Sequence, residues 1–165
     1  MRKYFLFLLI SLLPSLAIGG EREVRFIYSG LEFLVPSGAV VFGAEGGGDN
    51  FTFFRFSDQK GKNYLTFTDI TYESIDYGCG AKEFFAHLAG VSGPSTCSKS
   101  EIESFKKLFV GNSEVGEWSG KELIAYYFYG SDKSHMLVFS NDKIIKIDTD
   151  YLAKPDLRKI VDYYL

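Results

Sequence analysis

The last third of the chain carries the pattern that most restricts the fold. Four apolar or alternating runs, at 115–118, 122–129, 135–140 and 143–149, are separated only by short stretches of two to five residues that hold the turns Ser119-Gly120-Lys121, Ser131-Asp132-Lys133 and Asn141-Asp142. Connections this short join antiparallel neighbours, because a parallel crossover needs a dozen or more residues. The four runs therefore predict an up-and-down meander. In the second run Leu123, Ala125, Tyr127 and Tyr129 alternate with Ile124, Tyr126 and Phe128. Both sets are apolar or aromatic, so this strand is expected to be central or covered on both faces, with its tyrosines in the core.

The first half repeats the period of two. Val24, Phe26 and Tyr28 alternate with Glu23, Arg25 and Ile27, and after Ser29-Gly30 a second alternation, Leu31, Phe33 and Val35, stops at Pro36. A proline cannot donate to a ladder and ends it there. A short apolar run at 39–42 precedes Gly-Ala-Glu-Gly-Gly-Gly-Asp-Asn at 43–50, which reads as a glycine loop. Residues 51–56 and 64–70 read as a hairpin around 58–63.

The middle changes period. Ala81, Phe84, Phe85 and Leu88 share a helical face, with Lys82, Glu83 and Ala86 away from it, so a helix is expected over 80–89. Ser100 with Glu103 has the spacing of a capping box; Ile102, Phe105 and Phe109 form the apolar stripe that follows, and Gly111 is placed to end it. Pro155 suits the start of a closing helix whose apolar residues are Leu157, Ile160, Val161 and Tyr164. The expected fold is a single α+β domain, an antiparallel sheet with packed helices. Its 17% aromatic content agrees with a sheet-rich core.

The first residues have the parts of a secretory leader. Arg2 and Lys3 precede an apolar run at 4–18, and Ala17-Ile18-Gly19-Gly20 supplies small residues at its exit. The run falls short of the ~20 residues of a membrane-spanning helix. Cleavage is expected after Ala17 or Gly19, which makes 1–19 the signal peptide and 20–165 one exported domain in the periplasm, or secreted beyond it, without stable membrane insertion. No cysteine follows the exit to be acylated. Losing Arg2 and Lys3 takes the formal charge from −3 to −5. That balance disfavours nucleic acid, which needs a basic footprint.

Cys79 and Cys97 are the two cysteines of the chain. In an oxidising compartment they are expected to bridge, each just ahead of one of the central helices. Their spacing, with no histidine pair nearby, resembles no zinc pattern, so no metal is assigned.

The element order, the Phe33-Leu34-Val35-Pro36 segment and the amphipathic exit from Leu157 to Tyr164 resemble the PsbP-like family of small α/β sandwiches. That family includes periplasmic DcrB-like proteins and secretion-effector chaperones. The resemblance implies an accessory role in binding and no chemistry.

Catalytic patterns are sparse. The glycine loop has no lysine and leads into a strand, unlike a phosphate loop, and offers too few oxygens in a defined pattern for calcium. His87 lies one helical turn after Glu83, where a solvated surface pair is expected. His135 begins a strand beside a turn, and Gly116-Glu117-Trp118-Ser119-Gly120 is not a nucleophile elbow. Asp148 and Asp150 share a face and read as the solvated end of a strand that guards a sheet edge. No catalytic residue and no cofactor is assigned.

These observations point to a non-enzymatic binding protein, most concretely an immunity protein or inhibitor that neutralises a basic secreted toxin. The candidate contact residues are Glu45, Asp49, Asn50, Asp132 and Asp142. A ligand-binding or envelope-accessory module is the alternative, and an envelope hydrolase the third reading.

Overall fold

The computed structural model describes residues 23–46, 50–93 and 96–165. The leader at 1–19 and Asp49 lie outside these residues. The strands are β1 (Glu23–Tyr28), β2 (Leu31–Pro36), β3 (Val41–Glu45), β4 (Phe51–Arg55) and β5 (Tyr64–Asp69), then β6 (Glu114–Ser119), β7 (Ile124–Tyr129), β8 (Ser134–Ser140) and β9 (Lys143–Thr149). Between the two sets lie α1 (Ala81–Leu88) and α2 (Lys99–Phe105), with α2 running into a π-helical turn, Lys106–Val110; α3 (Lys154–Lys159) and a 3₁₀ turn, Asp162–Tyr164, close the chain.

The protein is α+β. β1 and β2 form a hairpin of their own, and the other seven strands make one sheet in the order β3-β4-β5-β9-β8-β7-β6, antiparallel throughout. The meander forms as its short turns require. β9 pairs on its far side with β5, so two local units, β3-β4-β5 and β6-β7-β8-β9, become one sheet through a single long-range seam.

Each face of the sheet has its own core. On one face the β1-β2 hairpin and α3 pack over Leu65, Phe67, Ala125, Met136, Val138, Ile145 and Ile147, with Phe33, Leu157, Ile160 and Val161 contributed from above. The hairpin is held there by Leu34 N–H donating to the Ile160 carbonyl at 3.0 Å and Glu32 N–H to the Tyr164 hydroxyl at 2.7 Å. On the other face α1, α2 and the π-turn cover Tyr126, Phe128, Leu137 and Phe139 with Phe84, Phe85, Leu88 and Ile102. β7 is therefore covered on both faces, as its double alternation requires.

Cys79 and Cys97 are bonded, with Cα atoms 4.7 Å apart. The bridge ties the entrances of α1 and α2, and Gly78 makes the close approach possible: at φ +70°, an added Cβ would lie 2.8 Å from the Ser98 nitrogen.

Three local expectations need correction. Helix α2 starts earlier than the capping-box spacing indicates, because Ser98, not Ser100, is the cap and its hydroxyl accepts from Glu101 N–H at 3.5 Å. Ala86 is buried rather than turned away, since α1 sits in a crowded layer of aromatic rings. Residues 43–45 are strand, not loop, because Phe51–Phe53 offers them a ladder.

The disulfide joins residues 18 apart in sequence and closes a loop that holds α1, with α2 starting just beyond it. Replacing Cys97 by Ser should lower the unfolding free energy by about 2–5 kcal/mol. Urea denaturation of the oxidised wild type and the variant checks this.

Candidate functional site

The register across the large sheet sorts the helix-side face into rows. One row runs Gly43, Phe53, Thr66, Asp148, His135, Phe128, Val115, and the next runs Glu45, Phe51, Thr68, Lys146, Leu137, Tyr126, Glu117. Both rows change character between β9 and β8. On β8, β7 and β6 they enter the aromatic core under the helices, whereas on β3, β4, β5 and β9 they carry threonines, charges and two phenylalanines. Phe51 and Phe53 stack on each other with centroids 6.2 Å apart, are half-buried, and belong to neither core. Among the described residues, the helix layer thus leaves roughly half of this face uncovered.

The boundary is marked by a buried polar cluster. Asp148 Oδ1 pairs with His135 Nδ1, and Asp148 Oδ2 receives Lys146 Nζ at 2.8 Å. Side-chain exposure is only 12% for His135 and 11% for Asp148. Burial alone raises the Asp148 carboxyl, but the His135 hydrogen bond and the Lys146 ammonium outweigh it and hold the group below its ordinary value. Phe109, projected from the π-turn, seals the cluster: its ring meets the His135 ring edge-on at 4.8 Å and lies 6.0 Å from Lys146 Nζ. π-turns inside helices recur at functional sites because they re-aim side chains in this way.

Beside His135 a cleft of about 310 Å³ opens between the π-turn and the β7-β8 turn, lined among others by Phe109, Ser113, Ser131, Asp132 and Lys133. Lys133 reaches over Tyr64, its Nζ 6.0 Å from the ring centroid. Burial raises the Tyr64 phenol above its ordinary value against the pull of that ammonium. The cluster orients an imidazole, yet among the described residues no hydroxyl is hydrogen-bonded to its second nitrogen. The geometry thus brings hydrogen-bonding and charged groups together around the imidazole.

The expected contact residues do not form one patch. Glu45, Asn50 and Asp142 lie at one end of the sheet, since Phe51 pairs with Thr68 and Asp69 with Ile145. Asp132 is on the β7-β8 turn at the other end of β8, about 20 Å away along seven residues of strand. Asn50 is partly structural, its carbonyl accepting from the Tyr28 hydroxyl at 2.5 Å.

Asp148 is not the solvated end of an edge strand: β9 lies in the middle of the sheet and Asp148 is buried. Asp150 follows β9 and accepts from Tyr64 N–H at 2.8 Å. The signal for the cluster was available in the two-residue turn at Asn141-Asp142. Such a turn sets the register of its hairpin, and that register places His135 opposite Asp148. Elsewhere, His87 Nδ1 meets the Gly93 carbonyl at 3.2 Å and Glu83 accepts from Thr96 N–H at 3.3 Å. A Glu83 carboxylate oxygen lies within 4.8 Å of both cysteine sulfurs, but those sulfurs are committed to their mutual bond.

No family model, no curated protein and no solved structure matches this chain.

Replacing Asp148 by Asn removes the charge that His135 and Lys146 share, at a cost of about 3 kcal/mol. The folded carboxyl titrates below the unfolded one, so its contribution is present above the unfolded value of about 3.9 and is lost as pH falls through the lower folded value. Denaturation at a series of pH values should show the gap between wild type and variant narrowing below pH ~4.

Proposed function

We propose that this chain is an exported, non-enzymatic binding protein that engages a protein partner through the uncovered half of its large sheet. The observation that carries this is the break in the cross-strand rows: the same two ladders that are core under the helices present Phe51, Phe53, Thr66, Thr68 and Lys146 on the uncovered side. Half-buried aromatics beside fixed polar groups are the composition of an interface core. The disulfide agrees with an oxidising compartment, and among the described residues no helix is long and apolar enough to cross a membrane.

The finer form of this reading is an immunity protein that blocks a secreted toxin one-to-one in the periplasm. Its support is the short leader, the stapled single domain and the acids Glu45 and Asp142 at one end of the sheet, where a basic rim of a toxin would be steered. The cleft beside His135 favours a second reading, a ligand-binding accessory module of PsbP-like type, in which a small molecule sits against Phe109 and Lys133.

The test uses Phe53→Asp, with Ile27→Asp on the exposed side of β1 as the control. Against a partner recovered from envelope extract by the wild type, Phe53→Asp should weaken binding about 30-fold or more while Ile27→Asp leaves it unchanged. The partner's own activity, measured at equal molar ratio, should fall with the wild type and not with Phe53→Asp. Equal binding by both variants contradicts the proposal, as does loss confined to Ile27→Asp.

A further inference from the structure

The large sheet has two edges, and they are treated differently. The β6 edge carries Glu114 and Glu117; Lys154 Nζ holds Glu114 at 2.5 Å, and the backbone of Tyr164 and Leu165 lies close over Gly120 just past the strand. Charges and cover of this kind keep an edge from pairing with another chain. β3, at the other edge, has the sequence Val-Phe-Gly-Ala-Glu, with no lysine or proline. It also exposes apolar surface: Phe42 is 60% exposed and Val40 56%.

A second observation lies one strand in. Arg55 on β4 stands opposite Val41 and makes no ion pair among the described residues; its Nε is sealed from water with no hydrogen-bond partner there. Glu45, at the other end of β3, is exposed and likewise makes no ion pair among the described residues.

We propose that the β3 edge pairs antiparallel with the β3 edge of a second copy of this chain, with Gly43 on the two-fold axis. That register is self-complementary. Phe42 falls opposite the second copy's Ala44, and Val40 opposite the second copy's Gly46, so each large apolar residue meets a small one. On the other face Val41 falls opposite the second copy's Glu45, which brings that carboxylate one strand spacing beyond Val41, on the row of Arg55. Strands lie about 4.8 Å apart, so two spacings, about 10 Å, separate the Arg55 backbone from that glutamate's, and the arginine and glutamate side chains together span that distance past Val41. Two symmetric Arg55–Glu45 pairs form, and the two-fold axis makes the interface isologous. The two uncovered half-faces then become one continuous surface, although the pairing does not depend on what that surface binds.

Sedimentation velocity of the oxidised, leader-free protein over a range of concentrations tests the proposal. The wild type should show a concentration-dependent dimer. Phe42→Lys, which installs an edge charge, and Glu45→Arg, which sets like charges together, should each weaken it more than about tenfold. Combining Glu45→Arg with Arg55→Glu should restore the dimer, a recovery that misfolding cannot produce. Because Arg55 is half-buried, a mixture of Phe42→Cys and Ala44→Cys proteins supplies an independent readout. The mixture should form an intermolecular disulfide, and neither protein alone should match it. A wild type that stays monomeric at every concentration overturns the proposal, and so does a dimer indifferent to Phe42→Lys and Glu45→Arg. A monomer whose complex with another protein is lost in Phe42→Lys assigns the edge to a partner's strand and overturns the second copy.

Discussion

The pairing of β5 with β9 is the contact on which the rest of the structure depends. Without it the chain holds two separate antiparallel units, each with an unsatisfied edge in the middle of what is now one sheet. The seam is reinforced beyond its ladder: Thr149 Oγ1 donates to the Tyr64 carbonyl at 2.7 Å, Tyr64 N–H to Asp150 at 2.8 Å, and Ile70 N–H to the Ile144 carbonyl at 2.9 Å. Leu65 and Phe67 on one side of it, and Ile145 and Ile147 on the other, are fully buried against the hairpin and α3. Closing a loop of this length costs entropy before any contact forms, and those four side chains supply much of the offset.

The seam also creates the asymmetry from which the functional reading grows. It adds three strands to a meander whose helices cover, in these rows, only β6 to β8. The hairpin and α3 extend over β5 on one face, but on the other the disulfide holds α1 and α2 over β6 to β8. Asp148 then occupies the first row position beyond β8, where the cover ends. A carboxylate at such a place must be paired, since an isolated buried charge is far too costly. His135 and Lys146 supply the pairing, and Phe109 excludes water from one side of it.

Much of the architecture was legible in the sequence because it is local. The meander follows from its turns, the closing helix from Pro155 and Leu157, although it ends at Lys159 and the rest of the Leu157-to-Tyr164 stripe continues through a turn into the 3₁₀ segment, and the bridge from two cysteines ahead of two helices. What was not legible depends on which segment pairs with which. Residues 43–45 look like loop in isolation and become strand because β4 pairs with them, with Gly43 accepting the Phe53 ring so closely that an added Cβ would lie 2.3 Å from it. Asp132 and Asp142 are split by the length of β8 itself, whereas the placement of Glu45 at the Asp142 end follows from the β5-β9 register, which no local pattern encodes. His135 and Asp148 form the intermediate case. Their register was available from the Asn141-Asp142 turn, but the central position of β9, which makes the pair buried, was not.

The central proposal is that the uncovered half of the sheet is the working surface. A photoreactive amino acid in place of Thr68, which faces that half from β5, tests it directly when irradiated in the native envelope. The account predicts a covalent adduct to a protein partner from position 68 and none when the same group replaces Arg158 on α3, in the layer packed on the opposite face of the sheet. An adduct formed from position 158 alone, or no adduct from position 68, would contradict it.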